Sequence, residues 1–373
     1  MKKQLLLLLL SLITIMACQH KKQSNHAFYP GIRSTPFGKM GDSIITQYTI
    51  TNVNGMQVSI MNYGATITSI IVPDKQGAMG DVVLGFDSLS GYLQKNNPYF
   101  GSTIGRYANR IKGGSFVVEG KPYHLPINDH GNTLHGGLKG FDKVVWTATR
   151  IPGDSGIRFT YTSADGDQGF PGELWIAVNF TVTTQNVLQI EYTASTTATT
   201  PVNLTNHAYF NLSAGKDSTI LQQEVSILAS KFTEVDSVLI PTGKHLNVAN
   251  TPMDFSTSIA IGKRIAEVPG GYDHNWVLDK PMGSLEKIAE VYDPLSKRVM
   301  EVLTTEPGLQ FYTGNFLDGS LTGKQGIKYP KHAAFCMEAQ HFPNSPNQPE
   351  FPSTWLHPGE MYHQITQYKF SVR

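Results

Sequence analysis

The segment Leu188-Gln-Ile-Glu-Tyr-Thr-Ala-Ser195 determines the fold class of this chain. Starting from Leu188, every second residue is apolar, and the residues between them are polar. Successive side chains of a β-strand point to opposite faces, so a period of two is typical of a strand with one buried face. We therefore predict a half-buried strand at this position.

The same alternation recurs along most of the chain. Further predicted strands are residues 57–61, 66–72, 175–182, 298–304 and 364–372. Turn-forming residues, such as Asn54-Gly55 and Asp165-Gly166-Asp167, lie between strands. Helical periodicity is limited to residues 89–94 and 259–267, which disfavours a parallel sheet with crossover helices. The pattern predicts an all-β fold, namely a large antiparallel β-sandwich.

The composition is that of an ordinary globular protein. The 373 residues include 30 Lys and Arg against 29 Asp and Glu, a formal net charge of +1. Only 16% of residues are charged and 40% are hydrophobic, which excludes a coiled coil, collagen and wholesale disorder. With so little net charge, no nucleic-acid partner is predicted. No linker-like change of composition follows residue 36, so residues 36–373 are predicted to form one domain.

The N-terminus has the features of a targeting segment. Two lysines precede an apolar run from Leu5 to Met16. This run of about 12 residues is shorter than the roughly 20 that a membrane-spanning helix needs. Residues 1–17 are therefore predicted to be a signal peptide.

The end of this segment indicates a lipid anchor. Ile15-Met16-Ala17-Cys18 resembles the cleavage box of bacterial lipoproteins. We predict that Cys18 is lipidated, that residues 18–35 form a lipidated N-terminus and flexible tether, and that the protein is exported to the periplasm or outer membrane. The anchor would be its only contact with a membrane. Plain secretion with an incidental cysteine is the alternative.

Six segments combine histidine, asparagine, arginine or acidic residues with glycines and aromatic residues. Strand packing alone does not require such combinations, so these segments are candidates for a binding site. Taken singly, each also has an ordinary explanation, such as surface charge, a structural histidine or a turn whose side chains hydrogen-bond to its own backbone. The segments are residues 105–114, 130–137, 203–211, 271–275, 310–316 and 335–343.

In this order, the six segments resemble the aldose 1-epimerases, also called galactose mutarotases. The resemblance extends from about Pro36 to Arg373. It implies a large antiparallel β-sandwich, a sugar cleft open on one sheet, free aldohexoses such as glucose and galactose as substrates, and no cofactor or metal. The motifs that carry it are GRYANRI (105–111), TLHGG (133–137), NLTNHAYFNL (203–212), GGYDHN (270–275), PGLQFYTGNFLDG (307–319) and KHAAFCMEAQHFPNSPNQPEFPSTWLHPGE (331–360).

Mutarotation explains why a carboxylate and an imidazole are needed. The hemiacetal ring opens and closes again on the other face, so one group must take a proton while another delivers one. The resemblance implies that Glu338 is the base and His207 the acid. His135 matches the family's second site histidine, which hydrogen-bonds an oxygen of the sugar.

The resemblance also implies a set of substrate contacts. Asn109 and Arg110 match the asparagine–arginine pair that contacts sugar hydroxyls. Asp273 and Gln310 match residues that bind further hydroxyls, and Tyr209 lies where a backbone or ring contact is expected.

Other functions remain open on sequence grounds. A non-catalytic sugar-binding module would not need both His207 and Glu338. A glycoside hydrolase would use two carboxyl groups, here Asp273 and Glu338, at about 5 Å or 6.5–9.5 Å. A metal site built from His135, His207 and Asp273 lacks a recognised ligand spacing.

Two further points concern substrate preference. A phosphosugar epimerase would need basic residues for the phosphate, and Lys139 and Lys143 are the nearby candidates. His341-Phe342 occupies positions where some relatives carry asparagine and tryptophan, and we predict that this pair lies at the rim of the site.

Overall fold

The computed structural model describes residues 29–373, and this part of the chain is almost entirely β-structure. The strands of this range, in chain order, are β1 (Gly31–Met40), β2 (Ser43–Thr51), β3 (Gln57–Met61), β4 (Thr66–Pro73), β5 (Met79–Asp81), β6 (Thr103–Ile104), β7 (Arg110–Ile111), β8 (Ser115–Val118), β9 (Lys121–His124), β10 (Thr133–Leu134), β11 (Thr147–Arg150), β12 (Gly156–Ser163), β13 (Leu174–Val182), β14 (Val187–Thr196), β15 (Thr200–Pro201), β16 (Thr205–Asn206), β17 (Glu224–Ile227), β18 (Lys231–Val235), β19 (Pro241–Asn247), β20 (Ile259–Ala260), β21 (Asp273–Val277), β22 (Glu286–Tyr292), β23 (Arg298–Thr304), β24 (Gly308–Tyr312), β25 (Cys336–Gln340), β26 (Trp355–Leu356) and β27 (Tyr362–Val372).

Helical structure is scarce in the same range. The α-helix α1 spans Leu89–Tyr92, where a helix was predicted. The other helical candidate, residues 259–267, forms β20 and two short 3₁₀ turns instead. The 3₁₀ turns are Lys112–Gly114, Phe141–Lys143, Asp167–Gly169, Ile261–Lys263, Ile265–Glu267, Lys324–Gly326 and Ser345–Asn347.

Most strands of the described residues belong to three sheets. The largest has nine strands in the order β11-β12-β13-β14-β27-β23-β22-β17-β20. A five-stranded sheet follows chain order from β1 to β5, and a second five-stranded sheet has the order β19-β18-β21-β24-β25. Four two-stranded pairs join β6 to β16, β7 to β10, β8 to β9 and β15 to β26. Pairing within these sheets is antiparallel, which confirms the predicted fold class.

The predicted strand at residues 188–195 is the middle of β14, near the centre of the nine-stranded sheet. Leu188, Ile190 and Tyr192 are buried, whereas the residues between them are partly exposed. β14 pairs with β13 on one side and β27 on the other. Burying one face of each such strand against the other sheets gives a continuous apolar core, which includes residues of β3, β4, β13, β14, β24 and β27 among others.

The folded part begins earlier in the chain than predicted. β1 starts at Gly31 and pairs along its length with β2, so residues 31–35, which the sequence assigned to the tether, belong to the sheet. The predicted signal peptide and Cys18 lie outside the described residues. Within residues 29–373, no helix has the length and apolarity needed to cross a membrane.

The two arginines of the GRYANRI segment are both buried, contrary to the reading as surface charge. Arg106 is 2% exposed, and its guanidinium donates to the carbonyl oxygens of Pro171 and Gly172 and to the hydroxyls of Ser163 and Thr200. These contacts join the loop after β6 to the end of β12, to the loop between β12 and β13, and to β15. Arg106 therefore fixes the base of the loop that carries Asn109.

We expect Arg106→Met to lower the free energy of unfolding by at least about 3 kcal/mol, because it leaves several buried acceptors unpaired. Urea denaturation followed by circular dichroism measures this. Arg158→Met, at an exposed position of β12, is the control and should change stability by no more than about 0.5 kcal/mol. Equal effects of the two substitutions would contradict the structural role given to Arg106.

Candidate active site

Three adjacent strands, β21, β24 and β25, carry the polar floor of a cleft. Gln310 is the register partner of Glu338, and Asp273 is the partner of Tyr312. Cross-strand partners and residues two apart share one face of a sheet, so Asp273, Gln310 and Glu338 all face the same side. The predicted site residues of these distant segments are thus brought together by strand register.

His207 enters the cleft from the loop after β16. Its backbone N–H donates to the Ser102 carbonyl at 2.9 Å, and its own carbonyl accepts from Gly101 at 3.0 Å. The ring nitrogen Nε2 lies 3.7 Å from Oε1 of Glu338. The Tyr209 ring stacks on the imidazole with centroids 5.1 Å apart, which fixes the plane of the ring.

His135 and Asn109 hold each other in place. The His135 backbone N–H donates to the Asn109 carbonyl at 3.0 Å, and the Asn109 backbone N–H donates to Nδ1 of His135 at 3.1 Å. Because Nδ1 accepts, a neutral His135 carries its proton on Nε2. Burial, reinforced by the charges of His207, Arg110 and Lys143, lowers the pKa of His135 well below its ordinary value and keeps it neutral. His135 is therefore a hydrogen-bond donor.

Arg110 is fixed by an acidic residue that the sequence did not single out. Its Nε donates to Oδ2 of Asp129 at 2.7 Å. Burial opposes the charge on Asp129, but Arg110 outweighs it and lowers the pKa of this carboxyl. Asp129 therefore remains ionised and sets the direction in which Arg110 points.

The carboxyl groups of the cleft keep their protons more readily than carboxyl groups in water. Burial raises the pKa of Asp273, although Arg110 and the Gln310 side chain oppose this. Burial and the nearby Asp273 raise the pKa of Glu338 well above its ordinary value, with Arg110 again opposing. Burial lowers the pKa of His207 to about 4. Between these two pKa values, the His207–Glu338 pair holds a single proton.

Comparison with known proteins agrees with this geometry. A family model described as aldose 1-epimerase matches residues 46–369. The chain belongs to the aldose 1-epimerase family.

Relatives of this epimerase family are similar over most of their length. The chain is 50% identical to a galactose mutarotase of Bos taurus over 85% of this chain and 92% of that protein. It is 37% identical to an aldose 1-epimerase of Escherichia coli over 86% of this chain and 94% of that protein. The crystal structure of an aldose epimerase homologue from C. elegans is 31% identical with a TM-score of 0.80, covering 87% of this chain and 98% of that one.

Not every predicted substrate contact reaches the cleft surface. Asn109, Arg110, His135, His207, Asp273 and Glu338 line the cleft. Gln310 lies behind Asp273, to whose Oδ1 its Nε2 donates at 2.7 Å. Tyr209 lines the cleft but is only 2% exposed, so most of its ring supports His207.

Several lining residues were not found by the sequence reasoning. Tyr99 packs edge-on against His135 with ring centroids 4.7 Å apart and lies 5.8 Å from His207. Phe316 is 73% exposed at the mouth and stacks on Tyr312. Tyr312 and Phe316 belong to the quoted PGLQFYTGNFLDG motif, but nothing in that motif shows which of its aromatic rings face the ligand.

The position of His341 corrects one expectation, and that of Lys143 bears on the phosphosugar alternative. The predicted place of His341-Phe342 at the rim is wrong, because the His341 ring turns away from the cleft to Glu306, and Phe342 packs on His245. Lys143 Nζ is paired with Asp142 at 2.7 Å, which leaves it poorly suited to bind a phosphate.

The cleft also brings together three side chains of types that bind metals. The predicted combination included Asp273, but the ligand atoms that lie within 4.8 Å of one another belong to His135, His207 and Glu338. A metal would have to bind Nε2 of His135, which carries the ring proton because Nδ1 accepts from Asn109. The set therefore does not fit a metal without breaking that hydrogen bond.

Cys336 contacts the far side of His207. Its Sγ lies 3.5 Å from Nδ1 of His207, and it shares a face of β25 with Glu338. Burial raises the pKa of this thiol well above its ordinary value, so the thiol keeps its proton. A thiol is a weak donor and a weak acceptor, and it can therefore pair with either protonation state of the imidazole.

We expect Cys336→Ala to lower kcat about 3- to 10-fold with little change in KM, which corresponds to one lost hydrogen bond. Polarimetric kinetics measure both constants. Cys336→Ser keeps a group that can donate and accept, and should retain more activity than the alanine variant. If serine and alanine reduce kcat equally, Cys336 contributes packing alone.

Proposed function

We propose that this protein interconverts the α and β anomers of free aldohexoses, with Glu338 as the base and His207 as the acid. The observation that carries the proposal is the separation of 3.7 Å between His207 Nε2 and Glu338 Oε1 in a cleft lined by hydrogen-bonding groups. Both groups are near enough for one sugar to contact them together.

Ring opening requires two proton transfers. Glu338 removes the proton from the anomeric hydroxyl, the bond between C1 and the ring oxygen breaks, and His207 delivers a proton to that oxygen. The product is the open-chain aldehyde. After rotation about the C1–C2 bond, the hydroxyl oxygen that was the ring oxygen attacks C1 and gives its proton to His207, while the protonated Glu338 returns its proton to the carbonyl oxygen. The new bond between C1 and that oxygen closes the ring as the other anomer.

The burial of the pair favours the ring-opening step. Opening starts from a carboxylate and an imidazolium, and it ends with a neutral carboxyl and a neutral imidazole. The shifts in the pKa values of both groups show that burial stabilises these neutral forms. The starting state must be supported by polar groups, and Arg110, which favours ionised Glu338, supplies one of them.

An unpaired polar atom in the cleft supplies further support for a sugar ligand. Oε2 of Glu338 is buried without a hydrogen-bond partner in the described chain. A buried acceptor left unpaired is costly. Hydroxyl groups of a bound aldose would satisfy such acceptors, and the neutral His135 would donate from Nε2 to an oxygen of the ring or anomeric centre.

The remaining contacts divide between polar and apolar faces of the sugar. Arg110, oriented by Asp129, and Asp273, held by Gln310, would bind hydroxyls at the two sides of the ring. Phe316 offers an exposed ring beside them. Since a site built for hydroxyl hydrogen bonds rejects sugars that lack them, these residues would discriminate among aldoses such as glucose and galactose.

The glycoside hydrolase alternative is less favoured by the contacts. Glu338 faces an imidazole, and the other carboxyl of the cleft, Asp273, is engaged by Gln310 at 2.7 Å. A hydrolase would release nitrophenol from a nitrophenyl glycoside, whereas the proposed epimerase should leave that compound intact.

We expect His207→Asn and Glu338→Gln each to lower kcat by about 10²- to 10⁴-fold, because neither replacement side chain transfers a proton. The change in optical rotation of freshly dissolved α-galactose and α-glucose measures the rate. A near-ultraviolet circular dichroism spectrum that matches the parent's shows that the variant is folded. A folded variant that keeps the parent rate would contradict the role given to that residue.

We expect kcat/KM to have a plateau between the pKa of His207, about 4, and the raised pKa of Glu338. Below the plateau the pair gains a second proton and lacks a base; above it the pair loses its only proton and lacks an acid. Rates measured from pH 3.5 upward, after subtraction of buffer catalysis, would show this. An acidic limb near the ordinary histidine value of about 6.5 would contradict the lowered pKa.

The export of this protein as a lipoprotein is a separate proposal. It rests on the apolar run and on the box ending at Cys18, which lie outside the described residues. We expect the full chain to incorporate labelled palmitate and sediment with membranes in a bacterial host, and Cys18→Ser to lose both properties. Such a location would allow the enzyme to equilibrate sugars released by glycosidases before uptake. If the full chain incorporates no label, the lipoprotein proposal is wrong and secretion without a lipid anchor is the remaining explanation.

A further inference from the structure

A second cavity lies outside the catalytic cleft and shares none of its lining residues. It has a volume of about 500 Å³. Glu306 and His341 lie in its lining together with residues 353–356 and 360–363. It lies beside the β15–β26 pair, at the start of β27.

The cavity contains an almost buried carboxylate–imidazole pair. Glu306 is 3% exposed, and its Oε2 lies 2.6 Å from Nδ1 of His341. Burial opposes a charge on His341, but Glu306 outweighs it and raises the pKa of the ring. The described chain offers no partner to the other two polar atoms, Oε1 of Glu306 and Nε2 of His341. The pair therefore presents an unused acceptor next to an unused donor.

The surroundings of this pair combine aromatic and neutralised polar groups. Trp355 and Tyr362 line the cavity. His363 is paired with Glu191 at 2.9 Å, outside the Glu306–His341 pair. No lysine or arginine lines the cavity, so a phosphate or sulfate group would find no strong cation there.

We propose that this cavity is a second carbohydrate site that takes a neutral pyranoside ring. A sugar ring has adjacent hydroxyls that both donate and accept, and it has an apolar face that packs on aromatic side chains. The adjacent acceptor and donor of Glu306 and His341 match the hydroxyls, and Trp355 offers an aromatic surface. The site does not require a free anomeric hydroxyl, so it could bind a glycoside that the catalytic cleft does not convert.

The proposal can be tested apart from catalysis with methyl glycosides, whose anomeric centre is blocked. Methyl β-galactoside, methyl β-glucoside and methyl β-cellobioside are titrated calorimetrically into the parent protein. We expect two sites per chain for at least one probe. Ser353→Trp fills the exposed rim without altering the buried pair, and Glu306→Gln removes the charge. Each should weaken the second site at least tenfold and leave the rate of galactose mutarotation unchanged.

Trp175→Ala, an exposed tryptophan on β13, is the matched control for aromatic surface and should leave both sites intact. The Ser353→Trp variant keeps the test valid if Glu306→Gln fails to fold. The proposal is overturned if the parent binds every probe at one site only, or if the second site persists unchanged in Ser353→Trp.

Discussion

The burial of one carboxyl group, that of Glu338, is the constraint on which the rest of the site depends. β25 places it in the middle of a cleft, 2% exposed, with Oε2 unpaired. Such a group is costly unless its surroundings compensate for it. The residues around it have that effect: Arg110 favours its ionised form, and Nε2 of His207 lies 3.7 Å from Oε1.

The loops around this carboxyl are held in backbone conformations that most residues avoid. Tyr99, Asn109 and His135 have φ values of 65°, 60° and 53°, in the left-handed region that favours glycine. In each case the surrounding contacts fix the conformation, as in the reciprocal hydrogen bonds between Asn109 and His135. Strained residues that cluster at one place are typical of functional sites, and here they place the His135 imidazole.

Sequence patterns predicted the strands that have one buried face, because burial alone imposes a period of two. β3 and β23 have the predicted bounds. β1 was missed because its first residues, 31–35, belong to a stretch that is polar and has no period of two. An edge strand can form from such a sequence, and it tolerates Pro36 at a register shift. The family resemblance supplied the cleft residues. It did not identify the roles of Asp129 and Cys336, because these residues act through contacts with Arg110 and His207. Only the strand register and the course of the loops bring those partners together.

Residues 29–373 contain two buried carboxylate–imidazole pairs, and they differ in a way that bears on the proposed proton transfer. Glu306 and His341 are in hydrogen-bond contact at 2.6 Å, and this contact raises the pKa of His341. Glu338 and His207 are 3.7 Å apart, and burial lowers the pKa of His207 instead. In the tight Glu306–His341 pair, the hydrogen bond stabilises the proton on His341. In the looser pair neither group satisfies the other, so a sugar hydroxyl placed between them becomes the better partner for both.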